Sequence, residues 1–241
     1  MKKVVSVINK YLETELAEAK KDLEGLRTYP DSDFACIVKE LGFKCELCAR
    51  CCTKEFNDHV FLLDSDAAVI KEIDPAALEP APYYEFCDQK GRFYVSGYAL
   101  KTKADGSCIF LENKRCKIYG KRPSICRVYP YMLHKEADET GNVDWRQISG
   151  LNEHGSYHSE LDDSECEAVV RETKAYEKAY LLQLIDFFKA VQAHFEKNGL
   201  KHVQRTYDKR IREFRKGEVE IEVFVYYEGR FEKHTLHSGE A

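Results

Sequence analysis

The stretch Cys45-Glu46-Leu47-Cys48-Ala49-Arg50-Cys51-Cys52 places four thiols within eight residues, and two of them are adjacent. Packing does not explain this density, because leucine or valine fills a core without the risk of oxidation. Two residues between successive cysteines let the side chains curl around one metal ion or cluster, as in zinc and iron–sulfur loops. The spacing predicts a metal site, with a disulfide knot or reduced core cysteines as the alternatives.

The adjacent pair adds a constraint on ligation. Because neighbouring side chains tend to point apart, we do not expect Cys51 and Cys52 to ligate the same metal atom. Either one of the two thiols is spare, or the loop serves two centres at once.

Composition and sequence patterns indicate the cellular compartment in which such a site would work. The chain has 241 residues, 44% of them hydrophobic, which is enough for an ordinary core in one large domain or two small ones. Its ten cysteines would suit a secreted disulfide framework, but we find no export signal and no apolar run of about 18 residues. We therefore expect a cytoplasmic protein without a membrane partner, in which clustered cysteines serve metal or redox chemistry.

Helical patterns flank the cysteine-rich middle of the chain. Apolar residues recur at three- and four-residue spacing from Val5 to Leu26, which predicts an N-terminal amphipathic helix. A long helix is predicted from Glu165 to about Asn198, and a second one from Leu200 to Arg215. The alternation from Val219 to Val225, followed by the turn at Glu228-Gly229, predicts a strand and a terminal hairpin.

The middle of the chain shows short elements. Strands are predicted at Val60–Leu63 and within Arg92–Leu100, and a helix is predicted from Ala67 to Ile73. Cys36 precedes the cysteine loop, and we interpret it as a buried thiol. These elements predict an α+β fold that is mostly helical, with an irregular cysteine-rich core and short strands.

We divide the chain into three segments on this basis. Residues 1–30 form an N-terminal helix that packs on the core, residues 31–135 form a cysteine-cluster metal-binding domain, and residues 136–241 form a helical C-terminal region that ends in a strand or hairpin.

A second block of cysteines follows the turn at Asp105-Gly106. Cys108, Cys116 and Cys126 are spread over nineteen residues, with proline-stiffened turns between them. A zinc ribbon would show a second C-x2-C knuckle, and the bacterial ferredoxin run would end in Cys followed by Pro. A site that gathers its ligands from separate turns fits this spacing better.

Together the two blocks resemble the CxxCxxCC cysteine-cluster family, whose members are described as zinc- or iron-chelating domains. The resemblance covers Phe43 to Tyr131 and lies in many fixed spacings. The residues that carry it are Cys45, Cys48, Cys51 and Cys52, then Cys108, Phe110 and Leu111, then Cys116, Tyr119, Arg122, Pro123, Cys126, Arg127 and Pro130.

The resemblance implies bound iron–sulfur or zinc and extends the ligand set. Cys166 is the counterpart of a downstream family cysteine, although Glu167-Ala168-Val169 follows it in place of the usual glycine-containing turn. A position in the first turn of a helix would also favour a thiolate there. Cys87 has a counterpart in some members. The predicted metal ligands are Cys45, Cys48, Cys51, Cys52, Cys108, Cys116, Cys126 and Cys166, with Cys87 as a further candidate.

The stretch from Lys114 to Lys135 contains seven cations and no acid. Two four-thiolate centres would carry a local charge of about −4, which nearby cations stabilise. Arg122 and Arg127 flank Cys126, so we expect them beside the ligands, with Tyr119 in the aromatic cover. A solvated basic face and a patch for a polyanion are the alternatives.

We predict a protein that holds one or two iron–sulfur centres, of the [4Fe–4S] type, in a redox or electron-transfer role. Zinc is the alternative, because four thiolates suit both. The family includes a flagellin lysine N-methylase, so a protein-modifying enzyme is the third hypothesis. The sequence shows no dinucleotide loop, P-loop or nucleophile elbow, and whether the protein is an enzyme stays open. A redox or other protein partner is expected; with a net charge of −5, nucleic acid is not.

Overall fold

The computed structural model describes residues 5–56, 58–137, 143–147 and 154–237. These residues form helices and short strands, which confirms the predicted α+β, mostly helical class. The six α-helices of the described residues are α1 Val5–Thr28, α2 Asp31–Leu41, α3 Asp64–Ile73, α4 Ser124–Val128, α5 Asp163–Asn198 and α6 Gln204–Arg215. None of them is long and apolar enough to pass through a membrane.

The strands are short except for the last pair. They are β1 Phe61–Leu62, β2 Leu78–Pro80, β3 Phe86–Cys87, β4 Phe93–Val95, β5 Tyr98–Leu100, β6 Leu111–Glu112, β7 Arg115–Cys116, β8 Leu133–Ala137, β9 Val143–Gln147, β10 Ile221–Tyr227 and β11 Arg230–Leu236.

Internal contacts divide the chain into two units. The sheet unit comprises Met1–Leu23, Phe61–Ala99 and Leu181–Ala241, and the cysteine unit comprises Glu24–Val60 and Leu100–Tyr180. The three-segment division by sequence stays a prediction, because a grouping by contacts does not test which segments fold independently.

The sheet unit is built on a four-stranded sheet with the order β11-β10-β4-β3. The terminal hairpin β10–β11 turns at Glu228-Gly229 as predicted, and β10 runs parallel to β4 with Val223 opposite Phe93. Alternate residues of β10 are fully buried, which is the period expected for a strand with one face on a core.

Aromatic side chains fill the core of the sheet unit. Phe86 is fully buried, and its ring lies 6.0 Å from Phe187 of α5 and 5.8 Å from Tyr11 of α1, measured between centroids. The Asp88 carboxylate is also fully buried, where Arg92 pairs with it at 2.6 Å and the Tyr94 hydroxyl donates to it at 3.0 Å. A buried charge that is paired and hydrogen-bonded in this way is tolerated in a core.

The cysteine unit has a smaller core of Phe34, Val38, Tyr131, Cys166 and Val170. The chain enters the cysteine loop through a tight turn at Gly42, where φ is +48° and a Cβ atom would lie 2.1 Å from the Ser159 carbonyl oxygen. Only glycine fits this approach.

Helix α2 corrects the interpretation of Cys36 as a buried thiol. Phe34 and Val38 form the buried face of α2, four residues apart, whereas Cys36 lies two residues from each and is exposed. Residues two apart on a helix point to different sides, so burial of Phe34 and Val38 excludes Cys36 from the core.

Candidate metal centre

All ten cysteines are free thiols in the structure, so it pairs none of them in a disulfide. Six of the thiols line one cavity of about 280 Å³ within the cysteine unit. They are Cys45, Cys51, Cys52, Cys108, Cys116 and Cys126. The rest of the wall is mainly apolar and includes Phe110, Ile118 and Tyr129. The two cysteine blocks of the sequence therefore meet at one place.

Backbone hydrogen bonds tie the two blocks together. The Cys108 N–H donates to the Cys52 carbonyl at 2.8 Å, and the Lys54 N–H donates to the Gly106 carbonyl at 3.0 Å. Between these bonds, Thr53 and Ser107 form an isolated β-bridge. Because these bonds are made by the main chain, Cys52 and Cys108 lie side by side whatever their side chains bind.

A tight hairpin brings Cys116 to the same wall. Strands β6 and β7 pair Leu111 with Cys116, and the two turn residues Asn113 and Lys114 have φ of +48° and +58°. Two consecutive residues with positive φ are typical of a type I′ turn, whose twist suits a two-residue hairpin. The turn folds the chain back so that Cys116 faces the region of Cys108.

Cys126 comes from the short helix α4, which begins directly after Pro123. Its thiol is the most deeply placed of the set, and burial raises its pKa strongly. The charges of Cys108, Cys52 and Cys116 raise the pKa further, which shows that all three lie close to Cys126.

We call Cys52, Cys108, Cys116 and Cys126 the thiol quartet. In every pair of these four residues, the charge of one thiol raises the pKa of the other. Burial raises the pKa of Cys108 to about 11, and Cys52 and Cys116 add to the effect. Burial also raises the pKa of Cys116, with a further contribution from Cys52. The quartet is therefore protonated at neutral pH in the absence of metal, and metal binding must release its protons.

Lys103 lowers the pKa of Cys108, and Arg122 is the cation that acts on the other three quartet thiols. Its charge lowers the pKa of Cys52, Cys116 and Cys126 and so opposes the effect of burial. Its guanidinium lies 4.1 Å from the centre of the Tyr119 ring. Arg127 is directed elsewhere, since it donates to the Ser124 hydroxyl at 3.0 Å and to the Arg122 carbonyl. The predicted roles of Arg127 and Tyr119 beside the ligands stay predictions.

The adjacent thiols behave differently from the expectation that they point apart. A 3₁₀ turn spans Arg50–Cys52, and the Cys52 thiol hydrogen-bonds to Cys51, which is the largest cause of its raised pKa. A 3₁₀ turn rotates the chain by about a third of a turn per residue, so successive side chains are not opposed as they are in a strand. Whether the two thiols share a metal atom stays a prediction.

The remaining predicted ligands are placed in three other ways. Cys45 is exposed at the cavity wall, and Cys48 is exposed but does not line the cavity. Cys166 is buried in the small apolar core, where it shares a helical face with Val170 and Thr173. That i, i+4, i+7 stripe is a core signal that the sequence already contained. The ligand roles of all three cysteines stay predictions.

Cys87 lies in the sheet unit. It is fully buried in β3, burial raises its pKa to about 12, and its backbone N–H donates to His202 Nδ1 at 3.0 Å. A buried thiol with a raised pKa is unreactive, as expected of a cysteine that fills space. Its ligand role too stays a prediction.

Sequence reasoning gave no role to His59, which lines the cavity. Its imidazole lies 3.4 Å from the Asp58 carboxylate. A histidine seven residues after the cysteine doublet was the available signal, because imidazole is a common metal ligand.

The donor chemistry of the quartet fits a thiolate-bound metal. An all-sulfur set selects soft ions, and both zinc and iron–sulfur clusters accept it. Within the described ranges, however, no three Cys, His, Asp or Glu side chains converge closely enough to hold a single ion. The thiols surround a cavity instead of meeting at a point.

Comparison with known proteins finds a family match over the segment that contains the quartet. Residues 44–148 match the model of the family described as "CxxCxxCC: Putative zinc- or iron-chelating domain". The family resemblance is confirmed. The match covers somewhat less than half of the chain and includes the whole quartet. It supports a metal-binding protein and does not specify the metal.

A curated relative gives no further functional detail. An uncharacterized protein of Methanocaldococcus jannaschii is 32% identical over 106 residues, which are 42% of this chain and 50% of the relative. The chain thus spans about half the length of that relative. No solved structure matches the chain.

Proposed function

We propose that the thiol quartet holds an iron–sulfur centre and that the protein serves in redox or electron-transfer chemistry. The observation that carries the proposal is that four half-buried thiols, from four separate segments of the chain, line one cavity and act on one another. Four cysteine thiolates are the ligand set of [4Fe–4S] and [2Fe–2S] centres. When bound, such a centre supplies one-electron storage and transfer.

The spacing of the thiols favours a cluster over a single zinc ion. In a tetrahedral zinc site each Zn–S bond is about 2.3 Å, so the four sulfurs lie within about 4 Å of each other. The quartet lines a cavity of about 280 Å³, and the described residues contain no convergent group of three donors. Ligands that enclose a volume suit a centre made of several atoms.

The chain's own residues adapt this site to a negative charge. Apolar side chains on the wall, such as Phe110 and Ile118, keep water from the sulfurs. Arg122 supplies a positive charge that lowers the pKa of three quartet thiols and so favours their thiolate forms. Cations and exclusion of water are the means by which a protein sets a cluster's reduction potential.

The other cysteines divide into two groups in this proposal. Cys45 and Cys51 share the cavity wall with the quartet, so they are the candidates for additional ligands, together with the nearby Cys48. Cys166 and Cys87 are not among the residues that line the cavity, so the proposal does not depend on their predicted ligand roles.

A zinc-binding structural site is the second candidate. The observation in its favour is the count, since four sulfur donors are the number that a closed zinc site requires. Small shifts of side chains would be needed to bring the quartet around one ion. The two candidates differ in sulfide content and colour, which makes them separable.

The test is anaerobic purification followed by measurement of iron, zinc and acid-labile sulfide in the same sample. We expect iron and sulfide in roughly equal amounts and a broad absorption near about 400 nm that bleaches on reduction. A colourless protein with one equivalent of zinc and no sulfide would contradict the proposal.

Matched variants make the result specific to the quartet. Cys116→Ala should abolish the chromophore, while Cys36→Ala should leave it unchanged because Cys36 is exposed on α2. Circular dichroism shows whether the Cys116 variant keeps its helices. Equal loss of iron in both variants would exclude a specific role for the quartet.

A further inference from the structure

Exposed cations lie along the segment that carries Cys116 and Cys126, on a chain that is negative overall. The chain carries a net charge of −5, yet the hairpin and turn that hold Cys116 and Cys126 present exposed cations. We call these the basic rim: Lys114, Arg115, Lys117 and Lys121. Charge of one sign gathered on one face steers a partner of the opposite sign to that face.

Few carboxylates neutralise the rim within the part of the chain that the structure describes. Lys117 pairs with Glu112 at 3.0 Å. No carboxylate of the described residues lies within ion-pair distance of Lys114, Arg115 or Lys121. The rim therefore keeps most of its positive charge for a partner.

Two exposed apolar side chains line the same cavity as Lys114 and Arg115 of the rim. Tyr119 and Leu47 line the cavity and are also exposed to solvent, at 44% and 45% of their surface. Arg122 stacks on the Tyr119 ring. An aromatic and arginine centre with a charged rim is the composition of a transient protein interface.

Arg122 connects this surface to the quartet. Its charge lowers the pKa of Cys52, Cys116 and Cys126 against the larger raising effect of their surroundings, while its guanidinium lies over the exposed Tyr119. Tyr119 and the quartet line the same cavity, so a protein seated on Tyr119 would lie at that cavity, as electron exchange with the centre requires.

We propose that this face docks an acidic electron-carrier protein. The carrier passes one electron to the centre, so that the carrier is oxidised by one electron equivalent and the centre is reduced by one, with no bond made or broken. The electron step rests on the proposed iron–sulfur function, whereas the docking itself rests only on the surface.

A nucleic acid would meet the same cations but fits this surface less well. Single strands bind through aromatic rings that stack on successive bases. Tyr119 is the exposed ring here, and Arg122 already covers one of its faces. The net charge of −5 would also repel an extended polyanion beyond the rim. An acidic protein face, which is compact, avoids that repulsion.

The test measures binding of the purified holoprotein to three probes by calorimetry, from about 20 mM to about 300 mM salt. The probes are an acidic [2Fe–2S] ferredoxin, a basic cytochrome c and a single-stranded oligonucleotide. We expect the ferredoxin to bind most tightly, with affinity that falls as salt rises. Tighter binding of the oligonucleotide or of the cytochrome would overturn the proposal.

Two triple variants with the same change in net charge localise the effect. Lys114→Glu, Arg115→Glu and Lys121→Glu together should weaken ferredoxin binding by about tenfold or more. Lys178→Glu, Lys197→Glu and Lys201→Glu together reverse exposed lysines that lie outside the rim, and should change it by less than about threefold. Equal losses in the two variants would show that only net charge matters and would reject the docking face.

The outcomes test the docking face and the identity of the bound metal independently of each other. A colourless zinc protein that still prefers the ferredoxin, and loses it in the rim variant, would support the docking face and reject electron transfer. A brown protein whose ferredoxin binding is the same in both triple variants would keep the iron–sulfur centre and reject the docking face.

Discussion

The two units of the chain use cysteine in opposite ways. In the sheet unit, Cys87 is fully buried in β3 beside Phe86, and its backbone is held by His202. In the cysteine unit, the quartet lines a cavity and its thiols act on one another. Burial alone raises the pKa of a thiol in both places, so a raised pKa does not distinguish a structural cysteine from a ligand. A candidate ligand is distinguished from a structural cysteine by the presence of other thiols around it.

The units also differ in what stabilises them. The sheet unit buries rings such as Phe86, Phe187 and Tyr94, whose apolar area is a large favourable contribution to folding. In the cysteine unit, the described cluster that contains Cys166 has five buried residues, and the loops that carry the quartet leave its cysteines only half-buried. We infer that the sheet unit folds on its own packing and that the loops of the cysteine unit depend on bound metal.

Removal of metal should have the largest effect, because it should loosen the cysteine unit and leave the sheet unit folded. Metal binding supplies about 10–16 kcal/mol in small zinc domains, so its loss should release the loops around Cys52, Cys108 and Cys116. The measurement is hydrogen exchange before and after anaerobic chelation. Amides of residues 107–128 should lose protection by more than about a hundredfold, while those of β4 and β10 stay protected.

The control for chelation is re-addition of the metal, which should restore protection. If β10 loses as much protection as the cysteine loops, the two units do not differ in their dependence on metal.

Truncation in the sheet unit should give the next largest effect. Phe86→Ala removes a fully buried ring that contacts Phe187, and should lower the free energy of unfolding by about 3–5 kcal/mol. Urea denaturation of the metal-loaded protein, followed by circular dichroism, measures it. The metal content per folded chain should not change.

Leu182→Ala is the matched control on α5, because Leu182 is 39% exposed. Its cost should stay below about 1 kcal/mol. Loss of metal in the Phe86 variant with its fold retained would show that the sheet unit contributes to the metal site.

Stability of the sheet unit should also depend on pH through Glu85. Burial raises the pKa of Glu85 to about 7, although hydrogen bonds from Ser96 oppose the shift, and its Oε2 atom is buried without a hydrogen-bond partner among the described residues. Between the unfolded pKa of 4.5 and about 7 the folded state binds more protons than the unfolded state. The free energy of unfolding should therefore fall by about 2–3 kcal/mol as pH rises from 4.5 to 7.

Glu85→Gln provides the control for this prediction. Glutamine has nearly the same shape and does not titrate, so this part of the pH dependence should vanish in urea denaturation curves taken at several pH values. An unchanged pH dependence in the variant would assign the effect to other groups.

The smallest expected effect concerns the two arginines beside Cys126. Arg122→Gln removes the charge that lowers the pKa of three quartet thiols, so metal retention against a competing chelator should fall up to about tenfold at neutral pH. Arg127→Gln should have less effect, because Arg127 is directed to Ser124. Equal losses in the two variants would contradict the assignment of Arg122.

Local patterns predicted much of the fold. The stripe from Val5 to Leu26 corresponds to α1, and the hairpin β10–β11 turns where Glu228-Gly229 indicated. Both depend on neighbours along the chain, which the sequence shows directly. Helix α2 was not predicted, because its buried face consists of Phe34 and Val38 alone in eleven residues. Such a short stripe is a weak periodic signal.

Long-range pairing could not be predicted. Strand β4 pairs with β10 although Phe93 and Val223 are 130 positions apart, and no local pattern specifies that register. The same holds for the site. Spacing indicated a metal site in the two blocks, but only the tertiary structure shows that Cys52, Cys108, Cys116 and Cys126 line one cavity. Cys166 was predicted as a ligand from family resemblance and a helix terminus, although its helical stripe with Val170 indicated a buried face.

Cysteine-resolved alkylation of the metal-loaded protein tests the central claim most directly. The protein is treated with iodoacetamide under anaerobic conditions, before and after chelation, and each thiol is quantified by mass spectrometry with the exposed Cys36 as the internal reference. The account predicts that Cys52, Cys108, Cys116 and Cys126 are protected together and become reactive together when the metal is removed. Quartet thiols that react independently of one another, or of metal removal, would contradict it.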